Sequence, residues 1–187
     1  MIIAQISDTH IALDTPDCAQ RIQDFEDTIA DINALDPAPD VIIHTGDIVQ
    51  NGRMDEYAVT AGILAKAKAP TYLMVGNKDD RANLRASFPT ADYLDANREF
   101  IAYSIEDYPV RMVALDTLNP GSNKGDFCQD RIADLIAMLD QDVTRPVVVF
   151  AHHPPFIVPV GPDPLHFETD ELMQQFRAAL GHSSHLL

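Results

Sequence analysis

Hydrophobic positions in this chain follow two patterns: short unbroken apolar runs that stop at a polar cluster, and stripes spaced three and four residues apart. The first pattern predicts strands. Residues 1–6 run into Ser7-Asp8-Thr9-His10, 40–44 into Thr45-Gly46-Asp47, 71–75 into Gly76-Asn77-Lys78-Asp79, and 146–151 into His152-His153-Pro154-Pro155. Two further strands are expected over 100–105 and 110–115. The second pattern predicts helices. Ile22, Phe25, Ile29 and Ile32 form one stripe, closed by Asp36-Pro37-Ala38-Pro39. Further helices are expected over 54–66 and around 80–87. Asp126 is the expected cap of a helix striped by Ile132, Leu135, Ile136 and Leu139. Thr169 is the expected cap of one carrying Leu172, Phe176 and Leu180, with Gly181 as its C′ glycine.

Strands that are apolar throughout suit a sheet covered on both faces. The alternation of strand and helix therefore reads as an α/β layered fold, within the size of one compact domain at 187 residues. In such folds ligands bind beyond the carboxyl ends of the strands, which is where the polar clusters fall.

Composition narrows the function classes. Apolar residues make up 46% and charged residues 22%, with no repeat or low-complexity tract, so disordered and fibrous classes drop out. The formal net charge of −16 repels a polyanion, so a long nucleic acid is not an expected partner. A small anionic substrate remains compatible, because bound cations invert the potential of a pocket. Cys18 and Cys128 lie far apart without CxxC spacing and read as free thiols. There is neither a basic leader at the start nor an apolar run of the ~20 residues a membrane span needs. The expectation is a cytoplasmic protein with no membrane partner.

The candidate chemistry sits at the strand ends. Asp8 and His10 are two apart, so their side chains can point the same way. Asp47 and Asn77 each follow a glycine, and His152 ends the long apolar run. Carboxylate and amide oxygens mixed with imidazole suit Zn, Mn, Fe or Co rather than an all-oxygen Ca or Mg cage. Two such ions ~3.5–4 Å apart form a clamp for displacement at phosphorus. Each motif alone is weak; four in order, each at a strand end, are not easily accidental.

Asp8-Thr9-His10, Gly46-Asp47, Gly76-Asn77-x-Asp79 and His152-His153-Pro154-Pro155 resemble the motifs of calcineurin-like metallophosphoesterases. Asn51-Gly52-Arg53-x-x-Glu56-Tyr57, Asp116-Thr117 and Lys124-Gly125 narrow the resemblance to class III cyclic-nucleotide and glycerophosphodiester phosphodiesterases. It implies the metallophosphoesterase sandwich of mixed sheets flanked by helices. It also implies two metal ions and hydrolysis of small phosphodiesters by a metal-bridging hydroxide. Asp8, His10 and Asp47 would serve one ion, and Asp47, Asn77 and His152 the other, with Asp47 shared. His153 is either a support for the site or a packed histidine. Asp79 is an orienting carboxylate, an N-cap for the next helix, or both. His44 reads as a packed strand residue. A homodimer of the full-length form is the assembly considered.

Two departures stand out. The family motif Gly-Asn-His-Asp carries Lys78 at the His, which in the family contacts phosphate and assists the leaving group. Lys78 either takes over with its charge and proton or fills a surface position. The family also ends its site with Gly-His-x-His after a further strand. Gly181-His182 with His185 does not match, because the glycine follows a helix directly and the spacing is one residue too long. Residues 185–187 read as the start of that strand, so the expectation is a domain lacking its C-terminal strands and cap, with weakened metal binding. Rival readings are a broad phosphomonoesterase or nuclease-type enzyme, and a non-catalytic metal- or phosphate-binding remnant or scaffold.

Overall fold

Each apolar run becomes a strand, and each stripe the buried face of a helix, in the computed structural model, which describes residues 1–158 and 165–187. The chain divides into two compact units, Met1–Asn97 and Arg98–Leu187.

In the first unit, β1 (Ile3–Ile6), β2 (Val41–His44) and β3 (Thr71–Leu73) form a parallel sheet in that order. Parallel neighbours need crossover connections, and α1 (Cys18–Ala34) and α2 (Met54–Leu64) supply them. α3 (Arg81–Ser87) follows β3. The central strand β2 is buried at all four positions, as an unbroken apolar run requires. α1 turns Phe25, Ile29 and Ile32 inward, leaving Ile22 partly buried at its N-terminal end.

In the second unit, β4 (Tyr103–Ile105) pairs antiparallel with β5 (Arg111–Ala114), which pairs parallel with β6 (Val147–Phe150). This gives the mixed sheet. α4 (Gln129–Asp140) and α5 (Asp170–Leu180) pack Leu135, Leu139, Met173 and Phe176 into one core with Phe127 and Phe167. Three rings close it. Phe176 meets Phe127 and Phe167 edge-on at 5.0 and 5.3 Å between centroids. Phe127 and Phe167 lie nearly parallel at 5.7 Å. Arg111 breaks the apolar pattern of β5. Its buried guanidinium donates to the Glu106 carboxylate and to the carbonyls of Met138 and Asp142, tying the end of α4 to the strand.

Two expected helix ends are corrected. α4 has Cys128 at its N-cap, not Asp126. The Asp126 amide donates to the Thr117 carbonyl and its own carbonyl accepts from Arg131, so the backbone there is already committed. Gly181 ends α5 with φ −62°, not in the left-handed form of a C′ glycine. The helix instead tightens into short turns, His182 N–H donating to Ala179 O and Ser183 N–H to Leu180 O, which need no positive φ. Thr169 caps α5 as expected, its hydroxyl accepting from Leu172 N–H at 3.2 Å. Residues 185–187 pair with β6. Val147 N–H donates to His185 O at 2.9 Å and Leu187 N–H to Val147 O at 3.0 Å, with Leu186 in parallel register. Cys18 and Cys128 are free thiols. Among the described residues no helix is long and apolar enough to cross a membrane.

Candidate metal centre

Beyond the ends of β1 and β2 the two loops stay side by side. Asp8 N–H donates to Gly46 O, His10 N–H to Asp47 O and Ile11 N–H to Ile48 O, at 3.0 to 3.1 Å. The price is backbone strain: Asp8, His10 and Asp47 have φ of 57°, 44° and 50°, and no other described non-glycine residue has positive φ. Each such conformation costs about 1–3 kcal/mol and persists only where the surroundings enforce it. Gly46, at φ 112°, occupies a region that side chains rarely tolerate.

The strain brings three side chains together. Asp8, His10 and Asp47 each offer one ligand atom, all within 4.8 Å of one another. His10 Nε2 lies 3.5 Å from Asp8 Oδ1 and 3.6 Å from Asp47 Oδ2. These separations exceed a hydrogen bond and approach the ~3.4 Å between two ligands placed tetrahedrally ~2.1 Å from one ion. Asp8, with Asp47 further off, raises the His10 imidazole above its usual pKa against the opposing effect of burial. A buried His10 Nδ1 has no hydrogen-bond partner among the described residues. Two carboxylates facing one imidazole suit a transition-metal ion, so the residues present fit the group that the motifs imply.

Asp47 is held at both oxygens. Oδ2 faces His10, while Oδ1 accepts the Lys78 main-chain N–H at 2.7 Å. The turn holding Asn77 and Lys78 thus sits against Asp47, and both residues are partly buried. Asp79 is buried and does not cap α3; that position belongs to Asp80, which accepts from Asn83 N–H at 2.8 Å. The Asp79 carboxylate accepts from Gly76, Ile48 and Val49 N–H at 2.8 to 3.3 Å and from the Tyr57 hydroxyl at 3.0 Å. Burial and the charge of Asp47 push it up to about 7, although these donors favour the carboxylate.

Two further groups brace the strained loops. Thr9 donates its only hydroxyl proton to Ile48 O at 2.8 Å, so its oxygen must accept from His44 Nε2 at 2.9 Å. His44 Nδ1 is then free to accept Gly46 N–H, at 3.3 Å; this buried histidine supports the loop by its tautomer. Arg21 donates to His10 O at 3.0 Å.

In the second unit, His152 and His153 follow β6 directly. His153 is buried, with Nδ1 2.7 Å from Thr117 Oγ1. Asp116 fixes that loop by accepting Ile101 and Leu118 N–H at 2.8 and 3.0 Å. Gly125 lies against the imidazole, where an added Cβ would come within 2.6 Å of His153 Cβ. Asp116-Thr117 and Gly125, noticed in sequence only as motifs, therefore build the seat of His153. The rings of His152 and His153 meet edge-on at 4.8 Å. His182 and His185 are exposed, and the His185 carbonyl is spent on pairing with β6.

The calcineurin-like phosphoesterase family model matches residues 1–184. The chain belongs to this family. Among its relatives, a probable glycerophosphodiester phosphodiesterase of Arcobacter nitrofigilis is 33% identical over 158 residues, covering 83% of this chain and 58% of that protein. A glycerophosphodiester phosphodiesterase of Enterobacter lignolyticus is 32% identical, covering 86% and 59%. A 3',5'-cyclic adenosine monophosphate phosphodiesterase of Pseudomonas aeruginosa is 27% identical, covering 87% and 58%. The chain thus spans less than two thirds of the length of these relatives. A purple acid phosphatase from yellow lupin seeds shares the fold, with a TM-score of 0.53 at 16% identity over 85% of this chain and 31% of that one.

Proposed function

We propose that this chain carries the metal-binding residues of a phosphodiesterase that hydrolyses small phosphodiesters, glycerophosphodiesters or cyclic nucleotides, with two metal ions. The observation that carries the reading is the convergence of Asp8, His10 and Asp47 on one point through three strained backbone positions. In this reading Asp8, His10 and Asp47 hold one ion, Asp47 and Asn77 serve the other, and His152 is a candidate ligand by its motif. When bound, the two cations supply positive charge to the phosphoryl oxygens and acidify water at the site.

The chain's own residues do the positioning. Asp47 presents one oxygen toward His10 while the Lys78 N–H fixes the other. Asp79 orients the loops on both sides of Asp47. Lys78 takes the motif position of the family's leaving-group histidine, and His153, fixed by Thr117, supports His152. The net charge of −16 disfavours long nucleic acids as substrates. The test is turnover of bis(p-nitrophenyl) phosphate with added Mn²⁺. Asp47→Ala should lower it by at least ~100-fold, beyond what loss of a merely supporting residue costs. A variant that keeps the wild-type rate refutes the reading.

A further inference from the structure

The motif Asn51-Gly52-Arg53-x-x-Glu56-Tyr57 contributes no ligand to the site proposed above, yet much of it points there. Glu56, fully buried in the first turn of α2, accepts from Asn51 and Arg53 N–H at 3.0 and 3.2 Å and from Asn51 Nδ2 at 2.7 Å. This pins the start of the helix to the loop that leaves the Asp47 segment. Gly52, at φ 66°, lies against Asp80, where a Cβ would stand 3.1 Å from Asp80 Cβ, and Asn83 Nδ2 donates to Gly52 O at 2.8 Å. One residue after Glu56, the ring of Tyr57 is fully buried.

The Tyr57 hydroxyl accepts Asp80 N–H at 3.0 Å and gives its one proton to Asp79 Oδ1 at 3.0 Å. Asp79 in turn gathers Ile48 and Val49 N–H, directly after Asp47, and Gly76 N–H, directly before Asn77. One carboxylate therefore joins the loops that carry Asp47 and Asn77, and one phenol fixes that carboxylate to α2. We infer that Tyr57 is a positioning residue: acting through Asp79, it sets the spacing between the Asp47 and Asn77 loops and so the fit of both to a metal ion. The inference rests on the reading of Asp47 and Asn77 as ligands of one ion.

Tyr57→Phe keeps the buried ring and removes only the hydroxyl, leaving Asp79 Oδ1 and Asp80 N–H each one partner short. Amide hydrogen exchange of the metal-free protein should quicken about tenfold at Ile48, Val49 and Gly76, as expected for local opening after loss of one hydrogen bond. Mn²⁺ affinity, by titration calorimetry, should fall about 10–100-fold, the range typical when a partner behind a ligand is lost. Ile63→Val, a mild cavity variant on the same helix, is the control for general destabilisation. It should leave both readouts near wild type.

Unchanged exchange at the three amides together with unchanged Mn²⁺ affinity overturns the inference. So does a loss of affinity no larger than that of Ile63→Val. Wild-type protein that binds no Mn²⁺, with the exchange pattern as expected, would sink the metal reading while leaving Tyr57 as the brace of the two loops.

Discussion

Replacing Gly125 by alanine tests whether packing alone can disturb the histidine pair. The new Cβ would lie 2.6 Å from His153 Cβ, 2.7 Å from its Cγ and 3.0 Å from Phe167 Cδ1. Ordinary carbon contacts begin near ~3.5 Å, so something must move by almost an ångström. Phe167 is fully buried between Phe127 and Phe176 and has nowhere to go. His153 therefore yields, and its 2.7 Å contact with Thr117 Oγ1 goes with it. Overpacking costs about 1–3 kcal/mol and the lost hydrogen bond about 1 kcal/mol. Against this stands about 0.4–1 kcal/mol from restricting the unfolded chain, since Gly125 has no positive φ that alanine would resent. Overpacking wins, for a net loss of roughly 2 kcal/mol in urea denaturation. Because His152 adjoins the displaced ring, Mn²⁺ affinity should also fall, by about tenfold or more. Wild-type stability in Gly125→Ala would refute the packing argument. Lost stability with unchanged affinity would refute the support of His152 by His153.

The remaining predictions concern charge. Asp79 has its folded-state pKa raised to about 7, so the folded metal-free protein holds this proton longer than the unfolded chain does. Its contribution to stability is intact below the unfolded carboxylate range and is lost as pH rises from about 4 to about 7. Asp79→Asn should remove that component, and identical pH slopes in urea denaturation of the two proteins would contradict it. Lys78→His should raise bis(p-nitrophenyl) phosphate turnover if the amine has taken over the family histidine's place; an unchanged rate would show that Lys78 fills the position without contributing to the reaction.

Much of the fold was readable from periodicity, because apolar spacing reflects burial directly. The stripe Phe25, Ile29 and Ile32 lies inside, and the run 40–44 became the fully buried β2. The grouping of Asp8, His10 and Asp47 was readable because polar residues at strand ends have few structural reasons to be there. Features that depend on three-dimensional competition were not readable. Asp126 has the chemistry of an N-cap, but tertiary bonds to Thr117 and Arg131 claimed its backbone and moved the helix start to Cys128. Arg111 sits buried in β5 because Glu106 and the end of α4 meet its guanidinium, a combination that hydropathy cannot foresee. The left-handed backbones of Asp8, His10 and Asp47 go with two loops zipped together, at residue types that tolerate positive φ better than most. Tyr57 stood out in sequence only as part of a motif; its bond to Asp79 spans 22 residues.

The central claim is that Asp47 is shared by two ions, and counting bound metal tests it most directly. Mn²⁺ titration of the protein, followed by calorimetry with the bound metal measured after desalting, should give two ions per chain. Asp8→Ala and Asn77→Ala should each weaken a different one, and Asp47→Ala should weaken both. An Asp47→Ala protein that still binds one ion with wild-type affinity would contradict the account.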